Sequence, residues 1–280
     1  MAGSNVGWLM LKALLFFAVA LLAAFPACAG EALSVTFGDE TRSLTAEELL
    51  KRADVATIEI ADDVSYHKAM RYRAVPLLAL IGPEAGDRFD TLEVRAADGF
   101  VSQIPMQLVA GAAKGGSVAW VAIEPPGEPW PPLPGKDASA GPFYVVWQNP
   151  ERSKVGTELW PYQTVAISGM QSPAQRWPQI AVDNGLPADA PARRGQGVFV
   201  TQCMPCHRMK GAGAADIGPD LGSPMNPTQY LTPQGLRALI RDPKSVRSWP
   251  QQQMPGFTEK ALSGSDLDAV IAYLGYMAAH

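Results

Sequence analysis

Short segments with alternating apolar and polar residues dominate the chain from about residue 30 to about residue 170. Residues 56–60 and 91–95 alternate with a period of two, which is the pattern of half-buried β-strands. Asp98-Gly99 predicts a hairpin turn that leads into the next strand. Further strands are expected at 100–104, 120–123, 143–147 and 164–167.

Two short helices are expected among these strands. Thr45 and Glu48 have the spacing of a capping box, and Pro76 stands at the first position of an apolar helical segment. Residues 124–142, by contrast, hold seven prolines and predict a long stiff loop. Residues 30–170 are therefore predicted to form a β-rich α+β domain.

The pattern changes after residues 171–188, a stretch rich in Pro, Ala and Asp that is typical of an interdomain linker. Residues 189–280 show helical periodicity, and Asp242-Pro243 ends one of the helices. Three helix starts carry N-cap signals: Asp189, Thr232-Pro233 and the pair Ser265 and Asp268. The predicted fold class is multi-domain, with the β-rich α+β domain followed by a small all-α domain.

The first 29 residues have the layout of a secretory signal peptide. Lys12 precedes an unbroken apolar run of 13 residues, 13–25, and small residues of the A-x-A type follow. A membrane-spanning helix needs about 20 apolar residues, so we expect cleavage after Ala29 and no spanning segment in the mature chain. Cys28 is interpreted as a small residue of the cleavage site, and the alternative is a lipid-anchored or uncleaved N-terminus.

Composition and charge exclude several classes of protein. A content of 47% hydrophobic and 18% charged residues is typical of a globular chain and not of a disordered or fibrous one. A net charge of −4 disfavours electrostatic binding to nucleic acid, so no such partner is expected. The charge is unevenly divided, because residues 30–190 carry −8 and residues 191–280 carry +3.

Two of the three cysteines lie in one motif, C-x-x-C-H at residues 203–207, which is the attachment sequence of c-type haem. The thiols of Cys203 and Cys206 are one helical turn apart and can add to the two vinyl groups of a haem. His207 follows as the proximal iron ligand. A zinc site needs about four ligands, and the sequence has no second C-x-x-C or histidine pair. A thioredoxin-like C-x-x-C lies near a βαβ pattern, whereas this one lies in a helical segment.

A second axial ligand is expected downstream of His207. Met254, in a loop between two predicted helices, is favoured, and Met225 is the alternative. A thioether sulfur raises the reduction potential and fills the sixth position of the iron. The expected cofactor is one covalently bound haem c, with His207 and Met254 as metal ligands.

Residues 188–280 resemble a class I cytochrome c. Gly195 and Phe199 stand eight and four residues before Cys203, where that family has the glycine and the aromatic residue of its first helix. Tyr273 falls where the last helix of the family crosses the first, and residues 217–221, Ile-Gly-Pro-Asp-Leu, resemble the family's proximal loop.

The resemblance implies further cofactor-binding residues. The carbonyl of Pro219 is expected to accept a hydrogen bond from His207 and to orient the imidazole. Trp249 and Arg241 stand where the family often contacts the haem propionates.

Residues 55–170 resemble the molybdopterin-binding fold of sulfite-oxidase-like oxidoreductases, on the motifs at 75–80, 97–100 and 141–147. That family binds molybdenum through a cysteine thiolate, and residues 31–202 contain no cysteine. The resemblance thus implies the fold without the cofactor, and no catalytic residue is assigned.

These features predict an exported monohaem cytochrome that passes single electrons to or from a periplasmic redox protein, with the N-terminal domain as a docking module. The chain is expected to carry electrons and not to catalyse a reaction. One alternative is a haem-containing oxidoreductase subunit whose N-terminal domain holds a molybdenum, anion or other metal site. Another is a haem sensor in which the methionine ligand gives way to a gas.

Overall fold

The computed structural model describes residues 32–280. The predicted signal peptide at 1–29, with Cys28, lies outside the described residues. Within residues 32–280, no helix combines the length and the apolar character that crossing a membrane requires.

Nine strands lie between residues 32 and 170: β1 Ala32–Phe37, β2 Glu40–Thr45, β3 Ala56–Asp63, β4 Lys68–Pro76, β5 Thr91–Ala96, β6 Val101–Pro105, β7 Val118–Ile123, β8 Phe143–Gln148 and β9 Thr164–Met170. They form two sheets. The first has the order β2-β1-β9-β5-β6, with β1 and β9 parallel and the other pairs antiparallel. The second has the antiparallel order β3-β4-β7-β8.

The six strands expected from alternation are all present, which confirms the β-rich character of this region. Of the three remaining strands, β4 contains the alternating Arg71 and Arg73, whereas β1 and β2 were missed. Most of β2 is exposed and polar, so it carries no apolar alternation. β1 does alternate, with Leu33 and Val35 buried, and it forms a tight hairpin with β2, so a local signal for it was present and was overlooked.

Both sheets contribute to one hydrophobic core. Val35 and Val94 from the first sheet and Val121 and Tyr144 from the second are buried in the same cluster. Four short helices pack around the sheets: α1 Ala46–Leu50, α2 Leu77–Ile81, α3 Ala85–Arg88 and α4 Met106–Ala110. The capping box of Thr45 and Glu48 at α1 is confirmed.

The C-terminal part is helical: α5 Pro173–Arg176, α6 Pro191–Val198, α7 Pro233–Arg241, α8 Pro243–Val246 and α9 Gly264–Ala279. Thr232 caps α7 as expected. Two predicted caps were wrong. Ala190 precedes α6 in place of Asp189, because Pro191 occupies the first helical position. Ser263 caps α9 in place of Ser265, with its hydroxyl accepting from the Asp266 amide at 3.2 Å.

The segment 171–188, which the composition predicts as an interdomain linker, packs against the helical region. Ile180 and Val182 are buried in the hydrophobic cluster of the helical region. The Tyr273 hydroxyl donates to the Ile180 carbonyl at 2.7 Å, which joins this segment to α9. A short apolar pair inside a Pro-rich stretch was enough to anchor it.

α6 and α9 cross at Gly195. A Cβ at this position would lie 2.7 Å from the Tyr273 Cβ and would collide with the Ala269 carbonyl. Phe199 packs beside the crossing, with its ring 5.3 Å from that of Tyr273. The missing side chain of Gly195 therefore sets how closely the two helices approach.

We predict that Gly195→Ala lowers the free energy of unfolding of the full chain by at least about 2 kcal/mol, because backbone atoms of α9 have to move. Gly197→Ala is the matched control on the same helix, since a Cβ there meets nothing within 4 Å. It should stabilise the chain by up to about 1 kcal/mol through helix propensity. Equal effects in thermal unfolding would contradict the close crossing.

Candidate functional site

The C-x-x-C-H motif begins at the end of a π-helical turn that directly follows α6. Residues Phe199–Cys203 form a π-helical turn, in which the Met204 amide donates to the Phe199 carbonyl at 2.8 Å. The chain then turns back, and the His207 amide donates to the Cys203 carbonyl at 2.9 Å. We call residues 199–207 the attachment segment. π-helical turns inside helices are frequent at functional sites.

The two thiols of the attachment segment are free and partly buried. Burial, followed by the nearby charge of Glu158, raises the pKa of Cys203 to about 12. The same two causes, with a smaller contribution from Asp98, raise the pKa of Cys206 to about 12. Both side chains are therefore neutral thiols at neutral pH.

The His207 ring is fixed from two directions. Its Nδ1 lies 2.8 Å from the Pro219 carbonyl, the hydrogen bond expected from the sequence. The ring also lies close to Gly218, where a Cβ would stand 2.5 Å from Nδ1. Burial lowers the pKa of His207, and the hydrogen bond to Pro219 offsets part of that shift. A neutral imidazole that donates from Nδ1 keeps Nε2 for a metal ion.

Residues 217–223, the proximal loop, are held against the attachment segment by backbone hydrogen bonds. The Gly218 amide donates to the Cys206 carbonyl at 2.8 Å, and the Leu221 amide donates to the Arg208 carbonyl at 2.8 Å. The loop that orients His207 is thus hydrogen-bonded to the residues on either side of His207.

Asp220 organises the proximal loop. Its Oδ1 accepts from the amides of Lys210 at 2.8 Å, Gly222 at 2.7 Å and Ser223 at 3.1 Å. Its Oδ2 accepts from the Gly211 amide at 2.6 Å. Partial burial acts to raise the pKa of Asp220, but these four hydrogen bonds outweigh it and the net pKa is lowered. Asp220 therefore positions the neighbouring Pro219 carbonyl.

The two candidate distal methionines differ in environment. Met254 is partly buried and packs against the helical core, whereas the Met225 side chain is 51% exposed. The chain after Met254 is pinned, because the Phe257 amide donates to the Ile240 carbonyl at 3.0 Å. This loop also contains Gln252, whose amide nitrogen and oxygen are buried without a hydrogen-bond partner among the described residues.

Arg241 holds the Met254 loop. Its Nη1 donates to the carbonyls of Phe257 at 2.9 Å and Leu262 at 2.6 Å, and its Nη2 pairs with Glu259 at 2.6 Å. The guanidinium at the end of α7 thus faces three acceptors of the following loop, and its expected contact with a haem propionate stays a prediction. Trp249 is 44% exposed and lies under the guanidinium of Arg247 at 5.2 Å.

The β-rich region packs directly against the attachment segment. The Val101 amide of edge strand β6 donates to the Pro205 carbonyl at 3.0 Å. Arg95 of β5 donates through Nη1 to the Ala214 carbonyl at 3.4 Å. The docking module expected from the sequence is thus in contact with the C-x-x-C-H motif itself.

These residues fit a covalently attached haem. The two thiols are unpaired, and the imidazole is held by one nitrogen so that the other is available. Gly218 leaves the ring the space that a side chain would fill. A protein-only zinc centre is disfavoured, because residues 32–280 hold no group of three or more His, Cys, Asp and Glu side chains suited to a metal ion.

Sequence reasoning found the two cysteines, His207 and Pro219 but missed three neighbours. Gly218 and Asp220 lie inside the Gly-Pro-Asp sequence that was singled out for its proline, so a signal for them was present. Glu158 is distant in sequence from the motif, and nothing local indicates that it lies near both thiols.

Comparison with known proteins supports the helical part of this description. Residues 192–278 match the family model described as Cytochrome c. No curated protein matches the chain. A cytochrome c domain implies that this part of the chain binds haem c and takes part in haem-based electron transfer. The match does not reach residues 55–170, whose resemblance to the molybdopterin-binding fold stays a prediction.

We predict that Asp220→Ala lowers the free energy of unfolding by about 2 kcal/mol, because several partly buried amides lose a charged acceptor. Asp220→Asn keeps one oxygen acceptor and should recover part of this loss. Asp216→Ala is the matched control in the same stretch, since its side chain is 84% exposed, and it should change stability by less than about 0.5 kcal/mol. Thermal unfolding of the full chain measures all three, and an Asp220→Ala variant no less stable than Asp216→Ala would contradict the assigned role.

Proposed function

We propose that the chain is an exported, periplasmic monohaem c-type cytochrome that passes single electrons to or from a redox protein. The observation that carries this proposal is the His207–Pro219 hydrogen bond of 2.8 Å beside two free thiols at C-x-x-C spacing. It lies within the residues that match the Cytochrome c family. When bound, the haem supplies a one-electron ferric/ferrous couple.

The residues of the chain divide the work of holding that couple. Cys203 and Cys206 would anchor the cofactor through thioether bonds, and His207 would bind the iron through Nε2 while Pro219 accepts from Nδ1. Met254 would supply a further protein ligand to the iron, supported by its partial burial and by the Arg241 contacts that hold its loop. A closed coordination sphere favours electron transfer over binding of a substrate or a gas.

We assign the β-rich region a role in presenting the haem region to its partner. A catalytic role through molybdenum lacks its usual ligand, because residues 31–202 contain no cysteine. The excess of acidic side chains in residues 30–190 and of basic ones in 191–280 gives the two parts surfaces of opposite sign. Such a division favours partners that recognise one part and avoid the other.

The assignment of Met254 predicts a difference between two methionine variants. Met254→Ala should lower the reduction potential by on the order of 0.1 V, a fraction of the range of about 0.8 V that axial ligands cover, and should allow carbon monoxide to bind the reduced protein. Met225→Ala is the matched control and should do neither. The reverse outcome would move the distal ligand to Met225.

A redox titration of the purified full chain tests the function as a whole. We expect one covalent haem per chain, a one-electron Nernst curve and no carbon monoxide binding by the reduced wild-type protein. A chain without covalent haem overturns the proposal, and rapid gas binding by the wild type favours a sensor.

A further inference from the structure

A turn of the β-rich region lies beside the two cysteines. Residues Thr157–Leu159 form a 3-10 turn, and the Ser102 hydroxyl of β6 donates to the Glu158 carbonyl at 2.8 Å. β6 is itself bonded to the attachment segment through Val101 and Pro205. The turn and the edge strand therefore reach the C-x-x-C-H motif as one unit.

The Glu158 carboxyl is poorly satisfied in this position. Its one side-chain hydrogen bond comes from the Thr157 hydroxyl at 3.4 Å, and it forms no ion pair within residues 32–280. Burial raises its pKa to about 7, with the Thr157 hydrogen bond opposing the shift. Glu158 is partly buried. Withdrawing a carboxylate from water, even in part, with so little compensation is costly, and groups of this kind concentrate at functional sites.

A second unsatisfied group lies at the same contact. The Gln202 side-chain oxygen is buried without a hydrogen-bond partner among the described residues. The side-chain nitrogen of Gln202 would stand 2.8 Å from a Cβ on Gly156. The Gln202 side chain therefore reaches from the residue before Cys203 to Gly156, which directly precedes the turn that contains Glu158.

The ionisable groups that face Glu158 are few. The π-helical turn brings the thiol of Cys203, and the attachment segment brings that of Cys206, which the Asp98 carboxylate of the β5–β6 hairpin also faces. Strand β6 carries no ionisable side chain. Both thiols become thioethers on haem attachment, so Glu158 and Asp98 remain as the charges at this edge.

We propose that the β-rich region forms one wall of the haem site and that the Glu158 carboxylate lowers the reduction potential of the haem attached to Cys203 and Cys206. The inference rests on the proposed function. A negative charge near the cofactor in a poorly solvated site favours the ferric form, which carries one more positive charge than the ferrous form. Its effect is present when the carboxyl is ionised and absent when it is protonated.

The direct test is the midpoint potential of the haem-loaded full chain between pH 5 and pH 9. In the wild type, the ratio of reduced to oxidised protein at a fixed ambient potential should fall about tenfold as the pH rises through 7. For a one-electron couple, this corresponds to a fall of about 59 mV in the midpoint potential. Glu158→Gln should match the wild type at low pH and lie above it at high pH, without the fall. Glu151→Gln removes an exposed carboxylate nearby and should follow the wild-type curve.

Several outcomes separate the alternatives. A fall of the same size in Glu158→Gln assigns the pH dependence to the haem propionates and overturns the inference, as does a flat wild-type curve. If the midpoint potential of Asp98→Asn no longer falls with rising pH, the pH dependence is assigned to Asp98 and the inference is overturned. If Glu158→Gln does not fold, Glu158→Ala takes its place, with the same expected curve and the same contradicting outcome. Absence of covalent haem in the wild type contradicts the proposed function, which is a different failure.

Discussion

The hydrogen bond between His207 and the Pro219 carbonyl, 2.8 Å long, is the contact on which the arrangement of the site depends. It fixes the imidazole, but it does so only because the carbonyl is itself fixed. Asp220 gathers four backbone amides around the loop that carries Pro219, and Gly218 lets the ring lie against the backbone. These few polar contacts hold His207 and the loop around Pro219 in one arrangement.

The same site joins the two parts of the chain. The helical region supplies the cysteines and the histidine, and its helices meet closely at Gly195. The β-rich region supplies edge strand β6 and the turn with Glu158. An edge strand with free backbone groups is a liability in solution, and here part of that edge is used by the Pro205 carbonyl. The β-rich region thus contacts the attachment segment directly, through a backbone hydrogen bond at the C-x-x-C-H motif.

Local patterns predicted most of the fold, and chemistry predicted the centre of the site. Alternation predicted the strands at 56–60 and 91–95, and the C-x-x-C-H spacing indicated the two thiols and His207. Both signals depend only on residues close in sequence. The partners of Arg241, the anchoring of Ile180 and the position of Glu158 depend on tertiary contacts, so they could not be read from the pattern. The caps of α6 and α9 were misplaced by one and two residues: Pro191 takes the first helical position of α6, and Ser263 offers an earlier start than Ser265 for α9.

We propose that Cys203 and Cys206 hold one haem and that no second redox centre acts in the β-rich region. Metal analysis of the full chain from its native host, combined with the mass of the denatured protein, is the decisive measurement. We expect one iron per chain, no molybdenum or copper, and a haem that stays bound after denaturation. Release of the haem on denaturation, or stoichiometric molybdenum beside the iron, would contradict it.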